Sequence, residues 1–138
     1  MMRPFDNPAV ADAYDALPPD VRDMALTLRD LILSVAWDTP QVGRIEETLK
    51  WGQPSYLTSE TKSGSTLRIG MAKNGGAALF AHCATNIIST YANTFPEADQ
   101  IEGNRAVIFM RAQDIVPERV RLLIYHGLTY HLKQARAS

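Results

Sequence analysis

Glu46-Glu47-Thr48-Leu49-Lys50-Trp51-Gly52-Gln53-Pro54-Ser55-Tyr56 decides how the chain folds. Two carboxylates, a lysine, two large aromatics, a Gly and a Pro stand within these eleven residues. Upstream the chain has helical texture, and downstream it alternates like strand. One reading makes Thr39-Pro40 a helix start, with Thr39 as N-cap. Val42, Ile45 and Leu49 then form one apolar face, and Gly52 is the C′ residue. Glu46 and Lys50 are then spaced i, i+4 along the last turn, a favourable but weak pair. The competing reading is extended from Glu47 to Trp51. In both, Pro54 launches a strand through Thr58.

Toward the N-terminus, Asn7-Pro8 is a helix start, with Asn as cap and Pro at the first position. That helix carries Val10, Ala13, Tyr14 and Leu17 as far as Pro18-Pro19. Pro18 or Pro19 opens a longer helix, with Asp20 and Asp23 near its positive end. Val21, Met24, Ala25, Leu28, Leu31, Ile32 and Val35 repeat at i, i+3, i+4, i+7. Leu26, Leu33 and Trp37 fall roughly opposite at about 100° per residue. A helix apolar on two sides is covered on both, by core on one side and by another helix or a second subunit on the other.

Toward the C-terminus, Thr66 to Ala72 and Ala77 to Cys83 read as strands joined by the Asn74-Gly75-Gly76 turn. Asn86 to Thr94 is a short helix. Glu102-Gly103-Asn104 is a turn, and Arg105 to Arg111 is a strand. Pro117 opens a last helix with Val120, Leu123, Ile124, Gly127 and His131 on one face. Lys133 and Arg136 suit its negative end. The expectation is one α+β domain spanning 1–138. It has two layers, with an antiparallel sheet of about four strands and the N- and C-terminal helices on one face. The other sheet face is left partly open.

Composition narrows the function. A 46% hydrophobic fraction supports a globular core. The net charge of −1, from 14 basic and 15 acidic residues, argues against a sequence-independent nucleic-acid binder. The single Cys83 forms no intrachain disulfide, which fits a cytoplasmic location. The first six residues carry no apolar signal region, and no apolar run reaches the roughly 20 residues that span a bilayer.

The Glu46–Tyr56 run resembles the acidic, aromatic-Gly-x-Pro-x-aromatic signature of the YdhG-like domains of unknown function. The helix from Val21 to Val35, the strand from Arg105 to Met110 and the Ile-Val-Pro lead-in to a helix with Tyr130-His131 are similar too. The resemblance implies an α+β domain like frataxin in outline, and some relatives are described as iron chaperones. On that basis Asp20, Asp23, Glu46 and Glu47 are the candidate iron ligands. This chain departs from the frataxin pattern in lacking a dense acidic ridge. Its acids alternate with Arg22, Arg29, Arg44 and Lys50.

Glu46, Lys50, Trp51, Tyr56 and Arg68 are the candidate ligand-binding residues: an aromatic floor with a few polar groups beside the sheet. The alternative places Trp51 and Tyr56 in the core. Arg68, Arg105 and Arg111 hold a carboxylate or phosphate if they share the open face, or else pair with acids on neighbouring strands. His82 and Cys83 point to opposite faces of a strand, and His126 and His131 share no helical face, so no metal site is expected. No phosphate loop, Gly-x-Ser-x-Gly elbow or acid–base constellation stands out. The expected function is a non-catalytic module, without a cofactor, that binds a small molecule or a protein. The alternatives are frataxin-like iron delivery and a homo-oligomeric scaffold, such as a homodimer, burying Leu26, Leu33 and Trp37.

Overall fold

The structure, a computed structural model, describes residues 3–132. Helix α1 (Pro8–Asp15) and helix α2 (Pro19–Trp37) come first. A 3-10 turn at Pro40–Val42 leads to strands β1 (Glu46–Lys50), β2 (Gln53–Leu57), β3 (Leu67–Met71) and β4 (Ala77–Ala81). Helix α3 (Ile87–Thr94), strands β5 (Gln100–Glu102) and β6 (Ala106–Phe109), and helix α4 (Pro117–Leu128) complete the order. Lys133 and Arg136 lie outside the described residues.

All strands join one antiparallel sheet in the order β1-β2-β3-β4-β6-β5. The class is α+β, as expected, but the sheet has six strands where about four were read. The two additional strands are its edges: β1, read as extended only in the alternative, and β5. An edge strand is hydrogen-bonded on one side only and carries more polar side chains, so its alternation is blunted. β5 is also only three residues long.

The helix expected through Gly52 stops after a single 3-10 turn, and the extended reading holds. Gly43, at φ +71 and ψ −153, turns the chain out of the helical path. β1 then folds back on β2 with Glu47 opposite Tyr56 and Lys50 opposite Gln53. Trp51 and Gly52 form the two-residue connection at φ +52 and +76. Positive φ at both positions is the turn whose twist matches paired strands. Gly takes it freely, whereas Trp51 is strained by about 1 kcal/mol. Glu46 and Lys50 therefore sit at opposite ends of a strand and do not pair.

The helices cover one face of the sheet. α1 lies over β1 and β2, α2 over β3 and β4, and α4 packs on α2 and β3. Asn7 caps α1 by accepting from the Ala9 amide. The apolar stripe of α2 enters the core as its spacing predicts, with Leu28 and Ile32 fully covered. Burying each such side chain contributes about 2 kcal/mol. Gly127 lets α4 approach β3 closely, since a Cβ there would stand 2.9 Å from Leu67 Cδ2. The opposite sheet face carries a separate small cluster of Ala72, Ala78, Phe80, Ala106 and Ile108, to which no helix contributes. Among the described residues no helix is long and apolar enough to cross a membrane.

Candidate functional site

The side chains most demanding of partners meet where α1, α2 and β1 converge. Register places Glu47 and Tyr56 side by side on the helix-covered face. Arg29 occupies the apolar stripe of α2, four residues after Ala25 and three before Ile32, and reaches the same point. It is 1% exposed. Its Nε donates to Glu47 Oε2 at 2.5 Å and its Nη2 to Oε1 at 3.1 Å. This is the bidentate geometry that makes Arg–carboxylate pairs strong. Nη1 and Nη2 also donate to the carbonyls of Arg3 (2.6 Å) and Pro4 (3.1 Å). The Phe5 ring lies 3.9 Å from the guanidinium carbon. Arg29 thus clasps the N-terminal segment to α2.

The network continues inward. Tyr56 donates to Glu47 Oε2 at 2.7 Å, and the Tyr14 and Tyr56 hydroxyls lie 2.6 Å apart. Burial pushes the Tyr56 hydroxyl far above the ordinary tyrosine range, and the neighbouring Tyr14 and Glu47 add to it. Burial does the same to Tyr14, the hydrogen bond it shares with Tyr56 opposing it. Burial, the largest single influence, lowers the Arg29 pKa, but the hydrogen bond and charge of Glu47 together with the neighbouring Tyr56 and Tyr14 outweigh it, and the net shift is upward. The group is one locked charge pair with two neutral hydroxyls behind it.

Beside this network opens a cavity of about 680 Å3. Arg29 and Glu47 form part of its wall, and Leu33, Ala36 and Ile45 supply apolar surface. Arg3, Arg44 and Trp37 stand at its edge, and Trp37 is 81% exposed. Among the described residues the side chains of Arg3 and Arg44 form no ion pair. Leu26 and Leu33, by contrast, are half-buried against the core.

The five residues singled out from sequence do not converge. Tyr56 is fully buried under the helices. Arg68 lies on the opposite sheet face, its guanidinium carbon 5.2 Å from the centre of the exposed Trp51 ring. Lys50 is exposed at the edge strand, and Glu46 accepts a hydrogen bond from Ser59. Tyr56 on the covered face and Arg68 on the open face therefore do not line one pocket with Trp51. Of the three arginines read as strand residues only Arg68 lies in one, where it bonds Gln53. Arg105 and Arg111 flank the shorter β6, and Arg111 pairs with Asp114 (3.2 Å) and Arg105 with Glu102 (3.8 Å).

From sequence Arg29 is a member of a mixed charge pattern and Glu47 a candidate iron ligand, and nothing in the sequence joins the two. Their signal was positional: each is a charge at a site where its element's periodicity calls for an apolar side chain. Among the described residues no group of three or more His, Cys, Asp or Glu side chains is arranged to hold a metal ion. No family model, curated protein or solved structure matches the chain.

Proposed function

We propose that the chain is a non-catalytic small-molecule-binding module of the YdhG-like type, and that its ligand occupies the cavity between α2 and β1. The observation that carries this reading is the cavity itself, about 680 Å3 with an apolar lining, an aromatic edge and a fixed polar wall. The wall is pre-ordered by the Arg29–Glu47 clasp, so little conformational freedom is lost when a ligand enters. The same geometry speaks against chemistry at this point. Glu47 is held by Arg29 and Tyr56, and neither tyrosine hydroxyl ionises near neutral pH, so none of these three groups is poised as base or nucleophile. A cytoplasmic location is part of the proposal, from the lone, exposed, unpaired Cys83.

Native mass spectrometry of gently purified protein, followed by a thermal-shift screen of small metabolites, tests this. Added mass or a saturable rise in Tm is expected, and Leu33→Trp, which fills the cavity from α2, should abolish either. No occupancy and no shift at millimolar ligand, or a shift untouched by Leu33→Trp, would refute it.

A second reading, the homo-oligomeric scaffold, draws on Trp37 together with the exposed Leu122 and Tyr125 of α4. Leu122 and Tyr125 border a groove of about 480 Å3 between α2 and α4. Light scattering over a concentration series distinguishes it, with a constant monomer mass excluding it. Iron delivery rests on the resemblance alone. Calorimetric titration with iron, repeated on amide variants of Asp20, Asp23, Glu46 and Glu47, tests it.

A further inference from the structure

The cavity leaves unused the sheet face that no helix covers, and register fixes what stands there. Thr48, Ser55, Arg68, Phe80, Ala106 and Glu102 are successive Cα partners across all six strands, so their side chains share that face. Arg68 stands in the middle of a low floor. Ser55, Ala78 and Ala106 are small and covered, and Gly70 leaves room for Gln53, whose Nε2 would lie 2.7 Å from an added Cβ.

Arg68 itself is held by two rings and an amide. Its guanidinium carbon is 5.2 Å from the Trp51 ring centre and 5.5 Å from that of Phe80, and Nη1 donates to Gln53 Oε1 at 2.9 Å. Among the described residues Nε and Nη2 make no hydrogen bond and no carboxylate pairs with the group. By contrast Arg29, Arg105, Arg111, Arg119 and Arg121 each face an acid. Burial, then the positive charge of Arg105, lowers the Arg68 pKa. Lys50, the Cα partner of Gln53, adds another cation on this face. A half-buried cation with like charges around it and no counterion is relieved by an incoming anion. Trp51 points the same way: a large ring, 87% exposed, is held at positive φ beside that cation.

We propose that the uncovered sheet face is a second binding site, independent of the cavity, for a small planar anion. Its carboxylate or phosphate bonds the free edge of Arg68, and its ring stacks on Trp51. Bidentate donors suit either oxyanion, and the exposed indole adds a sequence-independent stacking surface.

Trp37→Phe leaves Trp51 as the one tryptophan of the chain, so its fluorescence reports on this face. That variant is titrated with inorganic phosphate, benzoate and adenosine 5′-monophosphate. Saturable quenching is expected from the ring-bearing anions, at least about tenfold tighter than any response to phosphate. The benzoate and nucleotide arms tell a carboxylate ligand from a phosphate one. Arg68→Ala in the same background should remove the quenching. Arg68→Lys, which keeps charge but loses the fork, should weaken binding about tenfold. Thermal melts verify that each variant is folded. Undiminished quenching in folded Arg68→Ala overturns the proposal. So does phosphate binding as tightly as the ring-bearing anions, or no saturable response to any probe at millimolar concentration.

Discussion

Replacing Arg29 by Met removes four hydrogen bonds at once, two to Glu47 and one each to the carbonyls of Arg3 and Pro4. It also leaves the Glu47 carboxylate, only 13% exposed, with Tyr56 as its remaining partner. Breaking one side of a buried pair costs about 3–5 kcal/mol, because the surviving charge is stranded. Against a typical total of about 5–15 kcal/mol, that is a large share of the fold's stability. Glu47→Leu strands Arg29 instead and should cost about as much. Replacing both strands neither charge, so the double variant Arg29→Met/Glu47→Leu should be no less stable than either single one. The double-mutant coupling should then be about 3 kcal/mol or more. Denaturant unfolding by circular dichroism measures all four proteins, with unchanged slopes licensing the comparison. Hydrogen exchange should show residues 3–6 opening in Arg29→Met before the rest. Single variants costing under about 1 kcal/mol, or a double variant equal to the sum of the singles, would refute the clasp as a coupled buried pair.

Alkaline pH should unfold the protein through its buried tyrosines. Tyr14, Tyr56 and Tyr91 have pKa values raised above the ordinary 10.0, Tyr91 up to about 12. The native state therefore keeps protons that the unfolded state releases, and stability complete below pH 10 falls above it. The loss is about 1.4 kcal/mol per pH unit per tyrosine, or about 4 kcal/mol in all by about pH 11. Complete tyrosinate absorbance with native circular dichroism at that pH would contradict this. Gly64→Ala should cost more than Gly127→Ala, as judged by Tm. The Gly64 Cβ would meet the Leu128 carbonyl oxygen at 2.5 Å, while the Gly127 Cβ meets a side chain and gains about 1 kcal/mol of helix propensity. Trp51→Asn should cost the fold less than about 0.5 kcal/mol, since relieved strain at positive φ offsets a lost cation–π contact. A loss beyond about 1 kcal/mol in urea titration would mean that Trp51 serves folding and not binding.

What was legible in the sequence tracks how many neighbours each element has. α2 shows its period because one side of it is pressed into the core, so Val21, Leu28 and Ile32 are constrained together. β3 and β4 are paired on both sides, and their alternation or continuous apolarity, as in Ala77–Ala81, is plain. β1 and β5 have one neighbour each, and their polar outward positions imitate a helix face and a turn. Local propensity could not decide Glu46–Lys50. Pairing with β2 decides it, at a distance that spacing alone cannot see.

The site was hidden for the same reason. In a strand, neighbouring side chains leave on opposite faces, so the change from helix to strand at Glu46–Lys50 redistributes every candidate. Glu47 turns inward to Arg29 and Tyr56, and Lys50 turns outward to the face of Arg68. A helix would have gathered Glu46 and Lys50 on one surface with Trp51 nearby, which is why they first read as a single cluster. Two faces with different chemistry replace it. On the covered side a buried charge is matched atom for atom, and what remains is the shaped, mainly apolar space beside it. On the open side Arg68 is left without a carboxylate next to an exposed ring. The first arrangement suits a ligand chosen by shape, and the second one chosen by charge. A ligand that responds to Leu33→Trp should therefore be indifferent to Arg68→Ala, and the reverse should hold for the planar anion.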